Sequence, residues 1–357
     1  MDLRELGWDH SYADTMNETE RKEIVPGRVT SHSGKHYKVI TEDGEQSATL
    51  SNSFLSSIQK KSEIPTVGDW VGLQKHPDIH AYHIRCVFQR KNKLSRKVAG
   101  TKSEEQLIAS NIDMVFIMTS LDAEFNVRRL ERYLAMVYDI QAKPVIVLNK
   151  IDKIKDVEAY TNKVEKIGHN VPIVAISAKE GINIEGVSHY IEPGKTIVLI
   201  GSSGVGKSTL INQLLGYERQ AVGETRTSDD KGRHITSTRE MIILPEGGIL
   251  IDNPGIRELQ LWISGEGISH LFQDIEELST SCKFNDCHHD QEPGCAVKQA
   301  VERGELSIER LKSYKKLVRE QEYLNLRRNR YEQRKKDKQF GKMCRQVNNM
   351  RKLRGKK

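Results

Sequence analysis

Gly201-Ser-Ser-Gly-Val-Gly-Lys207-Ser208 fits G-x-x-x-x-G-K-[ST] at every fixed position. It follows the apolar run Thr196 to Ile200 and precedes the helix-like run Thr209 to Leu215, the strand-then-helix setting that a phosphate loop requires. Gly201, Gly204 and Gly206 let backbone N–H groups approach phosphate oxygens, Ser202, Ser203 and Val205 belong to the same loop, and the helix N-terminus adds its positive dipole end. Lys207 is expected to reach the outer phosphates as the catalytic cation, and Ser208, beside Thr209, to ligate Mg²⁺. Downstream, Asp252-Asn-Pro-Gly255 follows the run Gly248 to Ile251, which places Asp252 on the Mg²⁺ side and Gly255 at the γ-phosphate. Between the two motifs lies the polar stretch Gly232 to Thr238, where Thr236 is the candidate hydroxyl for Mg²⁺. Ile256 stands where many GTPases carry a Gln that orients water, so intrinsic hydrolysis is expected to be slow. His234 is the candidate water-positioning group.

Asn149-Lys150-Ile-Asp152 follows the run Pro144 to Leu148. An Asp carboxylate accepts from both N1–H and the exocyclic amine of guanine, and adenine offers no such pair of donors at that edge. The motif therefore selects GTP over ATP. Ser177-Ala178-Lys179, after the run Pro172 to Ile176, suits the loop that supports the same base. In an ordinary GTPase the phosphate loop comes first. Here the base motifs precede it, so the parts are read in the order 4-5-1-2-3. Joined termini and a new break at a surface loop would leave the sheet unchanged.

Cys282-x4-Cys287-x-His289-x5-Cys295 packs three thiols and one imidazole into 14 residues. That spacing points to one closed, structural Cys₃His zinc site, with His288 as a rival ligand to His289.

The elements that must position these groups fall into distinct stretches. From Ile24 to Phe88, short β-like pieces alternate with turn signals, as in a small barrel such as an OB-fold, or an SH3-like barrel. A basic stretch, Arg90 to Lys102, reads as a linker loop. Five near-continuous apolar runs, Met114–Met118, Pro144–Leu148, Pro172–Ile176, Thr196–Ile200 and Gly248–Ile251, then alternate with helical patterns, which indicates a parallel α/β sheet with strands buried on both faces. The helix between the first two runs carries Val127, Leu130, Leu134 and Val137. After Leu271 the strands are expected to stop.

The chain has 357 residues with 56 Lys and Arg against 49 Asp and Glu, net +7. From Arg327 onward there are 14 Lys and Arg against Glu332 and Asp337, a net +12 that leaves −5 for the rest. An acidic-to-neutral body with a basic tail points to a polyanionic partner, nucleic acid first. The longest apolar runs are far short of a membrane span, the N-terminus has no apolar signal core, and five cysteines make no disulfide scaffold. The expectation is a soluble cytoplasmic protein without membrane contact, and nothing demands more than a monomer.

With these parts in this order, the chain resembles the circularly permuted GTPase family called ribosome small subunit-dependent GTPase A, over roughly residues 24 to 320. The resemblance implies a lead-in (1–22), an RNA-binding OB-fold (23–95), a permuted GTPase domain (96–268), a mainly α zinc domain (269–326) and a basic tail (327–357). It implies a factor of late small-subunit maturation that binds the subunit and its rRNA, hydrolyses GTP to GDP under subunit stimulation, and is thereby released. Asn149, Lys150 and Asp152 would read guanine; Ser203, Gly204, Gly206, Lys207, Ser208 and Thr209 would hold phosphate and Mg²⁺; Cys282, Cys287, His289 and Cys295 would hold zinc. The switch stretch reads His-Ile-Thr-Ser-Thr where the family shows consecutive Thr, which leaves Ser237 as a rival to Thr236.

The alternative is a GTP-regulated RNA-binding or remodelling factor in which turnover is incidental. On the barrel, Lys35, His36, Tyr37, Lys38, Trp70 and Tyr82 form the candidate RNA surface, with core placement the rival for Trp70 and Tyr82.

Overall fold

The computed structural model describes residues 2–13, 24–75, 81–97, 105–122, 125–168, 170–219, 239–252 and 265–326. Two compact units emerge, one of residues 1–96 and 105–277 and one of residues 97–104 and 278–357.

The first unit opens with a single helical turn, Leu3–Leu6, and then a five-stranded barrel: β1 (Val25–Ser33), β2 (His36–Thr41), β3 (Gly44–Leu50), β4 (Trp70–Lys75) and β5 (Tyr82–Val87). A short helix α1 (Asn52–Ser57) follows β3. The strands run in the order β1-β2-β3-β5-β4, with β3 parallel to β5 and β4 closing on β1. That order decides between the two barrels in favour of the OB-fold. Val29, Val39, Val71, Leu73 and Ile84 fill its core. Tyr37 and Trp70 are 2% and 1% exposed, so both belong to the core and not to an RNA-stacking surface. Tyr37 points inward because β2 alternates exposed and buried from His36 on. Lys35, His36 and Lys38 are exposed.

Part of the basic stretch is not a loop. Lys93–Lys97 forms β6 and pairs with β7 (Glu105–Ser110), with Leu94 buried. Arg90 is anchored too, with two nitrogens on Asp69 at 2.7 Å.

Next come β8 (Met114–Ser120), α2 (Val127–Asp139), β9 (Lys143–Asn149), α3 (Glu158–Glu165), β10 (Ile173–Ala175), α4 (Glu185–Ser188), β11 (Thr196–Ile200), α5 (Lys207–Leu215), β12 (Glu240–Ile243) and β13 (Ile249–Asp252). All five apolar runs are strands. They lie in the order β10-β9-β8-β11-β13 and are all parallel, with β12 antiparallel at the edge. Every residue of β8 and β11 is buried, as helices on both faces require. Each buried Val, Leu or Ile side chain contributes about 1.5–3 kcal/mol. The helices α6 (Glu266–Leu271) and α7 (Gln273–Ser279) follow.

The barrel and this sheet are continuous. Ser31 of β1 pairs with Glu240 of β12, giving one sheet of 11 strands. Arg28 fastens the junction from inside. Its guanidinium is fully buried and donates to the carbonyls of Leu6, Gly68 (3.2 Å) and Asn111 (3.5 Å) and to Thr196 Oγ1 (2.7 Å), with its carbon 5.5 Å from the Trp70 ring centre. Burial lowers its pKa to about 10, which leaves it charged at neutral pH. The described part of the N-terminal lead-in, residues 2–13, is packed on the junction: Leu3 and Leu6 are buried, and Trp8 meets Trp70 edge-on at 4.7 Å.

The second unit contains the cysteine cluster, α8 (Ala296–Glu302) and a helix α9 over residues 308–326. Among the described residues no helix is long and apolar enough to cross a membrane.

Candidate functional site

Parallel strands bring their C-terminal ends to one edge, where α/β proteins bind ligands. Along that edge lie Asn149 at the end of β9, Ser177 just after β10, Gly201 just after β11 and Asp252 at the end of β13. The order of the motifs in the chain is permuted, but their order in space follows the sheet.

Three of these loops are tied together by one side chain. Asn149 is 3% exposed; its Nδ2 donates to the Val205 carbonyl at 2.7 Å and its Oδ1 accepts from the Ala178 N–H at 2.9 Å. Lys150 takes the left-handed conformation (φ 67°), and its ammonium meets Asp122 at 2.8 Å. Ser177 Oγ donates to Asp152 Oδ1 at 2.6 Å and accepts from the Glu180 N–H at 3.3 Å, so the carboxylate expected to read guanine is oriented by the supporting loop. Lys179 is largely exposed and lies 3.5 Å from the Glu180 carboxylate.

The phosphate loop depends on its glycines at two close approaches. Gly206 has φ 99°, and a Cβ there would sit 2.2 Å from Asn149 Nδ2. At Gly201 a Cβ would lie 2.3 Å from the Met118 carbonyl oxygen. Val205 is buried, while Ser203 and Gly204 face solvent. Lys207, the first residue of α5, donates its Nζ to the carbonyls of Gly201 and Ser202, both at 2.7 Å. Its ammonium therefore caps the loop from which phosphate would draw it. Ser208 and Thr209 sit half-buried in the first turn of α5, and Asp252 is half-buried. His234, Thr236, Ser237, Gly255, Ile256 and the tail from Arg327 lie outside the described residues.

In the second unit, one ligand atom from each of Cys282, Cys287, His289 and Cys295 lies within 4.8 Å of the others. Cys282 Sγ is 3.9 Å from Cys295 Sγ and 3.7 Å from His289 Nδ1, and His289 Nδ1 is 3.4 Å from Cys295 Sγ. A tetrahedral Cys₃His site with metal–sulfur near 2.3 Å and metal–nitrogen near 2.0 Å requires edges of about 3.5–3.8 Å. The donor set fits a metal ion. It uses His289, whose Nε2 is 3.1 Å from Ser279 Oγ, and not the rival His288. The Cys295 thiol caps α8 by accepting from the Lys298 N–H at 3.4 Å. Partial burial, together with the neighbouring Cys295 and Cys282 thiols, raises the Cys287 thiol above its ordinary range.

The motifs did not reveal Asp122, Arg129 or Ser279. Asp122 lies two residues past the end of β8, a place that a strand prediction alone could have flagged. Arg129 Nη1 donates to Ser202 Oγ across 73 residues, and no local pattern announces that.

Comparison with known proteins agrees with this arrangement. The family model described as RsgA GTPase matches residues 87–262. An ABC transporter model also matches residues 184–351, a stretch that contains the phosphate loop but not Asn149 to Asp152. Small ribosomal subunit biogenesis GTPase RsgA 2 of Vibrio parahaemolyticus is 41% identical over 97% of this chain and 92% of its own length. Small ribosomal subunit biogenesis GTPase RsgA of Methanosarcina acetivorans is 43% identical over 83% of this chain and 79% of its own. The crystal structure of YjeQ from Thermotoga maritima superposes with a TM-score of 0.64 at 28% identity, covering 84% of this chain and 98% of that one. The crystal structure of YloQ, a circularly permuted GTPase, gives 0.59 at 25%, covering 86% of this chain and 98% of that one. Likeness across nearly the whole chain, on a sheet whose motifs are permuted in sequence but not in space, means that the chain belongs to the RsgA GTPase family.

Proposed function

We propose that this GTPase binds the small ribosomal subunit during its maturation, hydrolyses GTP to GDP when the subunit stimulates it, and leaves on hydrolysis. The carrying observation is the convergence on Asn149 of the base-reading, base-supporting and phosphate loops, in a chain whose relatives are named for small-subunit biogenesis. Asp152 reads guanine, Lys150 holds its loop through Asp122, and Ser177 and Ala178 support the base. Residues 201–209 wrap the phosphates, with Lys207 released from the Gly201 and Ser202 carbonyls onto phosphate oxygens. Bound Mg²⁺, held by Ser208, Asp252 and Thr236, supplies neutralisation of the developing charge. Gly255 senses the γ-phosphate and His234 positions water. Ile256 has no group to orient that water, so the subunit completes the site by bringing His234 into place.

The cluster of Cys282, Cys287, His289 and Cys295 holds one zinc ion with no open position, which makes it structural. The exposed Lys35, His36 and Lys38 of the barrel and the net +12 tail favour an rRNA partner. The protein acts as a cytoplasmic monomer.

The test is turnover of GTP, with ATP as control, in the absence and presence of purified small subunits. Strong stimulation confined to GTP is expected. Equal rates with and without subunits would overturn the proposal.

A further inference from the structure

The phosphate loop is held from outside at two points. Asn149 grips the Val205 carbonyl, and Arg129 Nη1 donates to Ser202 Oγ. Arg129 sits in the first turn of α2, where its own N–H donates to the Asn126 Oδ1 cap at 3.1 Å. The far end of α2 packs against α6. A Cβ on Gly267 would lie 1.9 Å from the Ala135 carbonyl oxygen. The Gly267 N–H donates to Asp139 Oδ1 at 3.3 Å, and the rings of Tyr138 and His270 stack at 4.3 Å. Thus α2 reaches from the phosphate loop to the first described helix after Asp252.

We propose that Arg129 is a positioning residue for GTP turnover, holding the phosphate loop through Ser202 in the form the reaction needs. This rests on the nucleotide site proposed above. Glycines at 201, 204 and 206, all at positive φ, leave the loop backbone with little conformational preference of its own. Its N–H donors stabilise developing charge only if they are already aimed where that charge appears. Binding energy can draw a loose loop around a diphosphate, so loss of a tether falls on turnover more than on affinity. A charge-assisted hydrogen bond from a guanidinium rooted in a helix supplies such a tether. The link to α6 gives it a second consequence, because a shift of α6 would reach the loop through α2.

The experiment measures kcat and KM for GTP, with saturating small subunits, on the full chain carrying Arg129→Ala, Ser202→Ala, both changes together, or Arg129→Lys. Each alanine variant is expected to lower kcat about tenfold, the worth of one such hydrogen bond. KM should stay within about threefold. The double variant should be no slower than either single one, since both remove the same contact. Lysine, which still donates, should restore part of the rate. If Arg129→Ala fails to fold, Ser202→Ala carries the test. Wild-type rates in both single variants, additive losses, or a raised KM at constant kcat would overturn the inference while leaving the nucleotide site standing. A wild-type chain that hydrolyses no GTP would overturn both.

Discussion

Asn149 Nδ2 donates to the Val205 carbonyl at 2.7 Å, joining the loop proposed to read the base to the middle of the phosphate loop. The same side chain accepts from the Ala178 N–H, so a residue that sequence reasoning assigns to guanine is also the brace of the whole site. Asn149→Ala is expected to weaken GTP and GDP alike by about 1–3 kcal/mol, because it leaves a buried carbonyl and a buried N–H without partners. Titration with fluorescent guanine nucleotides measures this. Loss for one nucleotide only would show that the brace acts on one state of the loop.

Asp152 should govern the choice of base. Its carboxylate is fixed by Ser177 Oγ at 2.6 Å. An amide there offers one acceptor and one donor where guanine presents two donors. Asp152→Asn is therefore expected to weaken GTP by about 2–3 kcal/mol and to improve binding of xanthosine nucleotides, whose edge carries a carbonyl in place of the amine. Competition between the two nucleotides reads the outcome, and an unchanged preference for GTP would remove Asp152 from the base.

The parallel sheet was legible because strands covered on both faces read as unbroken apolar runs, and the motifs sit at their ends. Other parts were not. Lys93–Lys97 hides as a basic loop because Leu94 alone marks its inner face amid charged neighbours. The N-terminal turn buries Leu3 and Leu6 within a stretch too short to show a period. Tyr37 was visible as a core position from its alternation with His36 and Lys38, yet its aromatic type suggested stacking. Arg28 was not legible at all. Its partners at Leu6, Gly68, Asn111 and Thr196 come together only in the folded chain.

That buried guanidinium yields a stability prediction. Arg28→Met keeps an apolar stem for packing on Trp70 but removes every donor. The carbonyls of Leu6 and Gly68 and the Thr196 hydroxyl are left without it, at a cost of about 2–4 kcal/mol. Barrel and sheet share β1 and β12, so one cooperative transition should move to lower temperature. Thermal unfolding followed by circular dichroism checks it. A second, separate transition for the barrel would show that the sheet does not couple them.

Metal removal should act on the other unit. Its apolar content is modest, and Cys282, Cys287, His289 and Cys295 together span the turn that leads into α8. Ordering such a segment draws on metal-binding free energy, which is folding free energy when the empty site is unformed. Purified protein is expected to carry about one zinc per chain. Cys287→Ser should lose it, and helical signal from residues 296–326 should fall with it. The residues proposed to bind nucleotide lie in the unit of residues 1–96 and 105–277, which is compact by itself, so GTP affinity should stay within about threefold. Metal analysis and nucleotide titration on the same preparation separate the two effects. A variant that keeps its zinc would take Cys287 out of the ligand set, and one that loses GTP binding along with zinc would show that the two units fold as one.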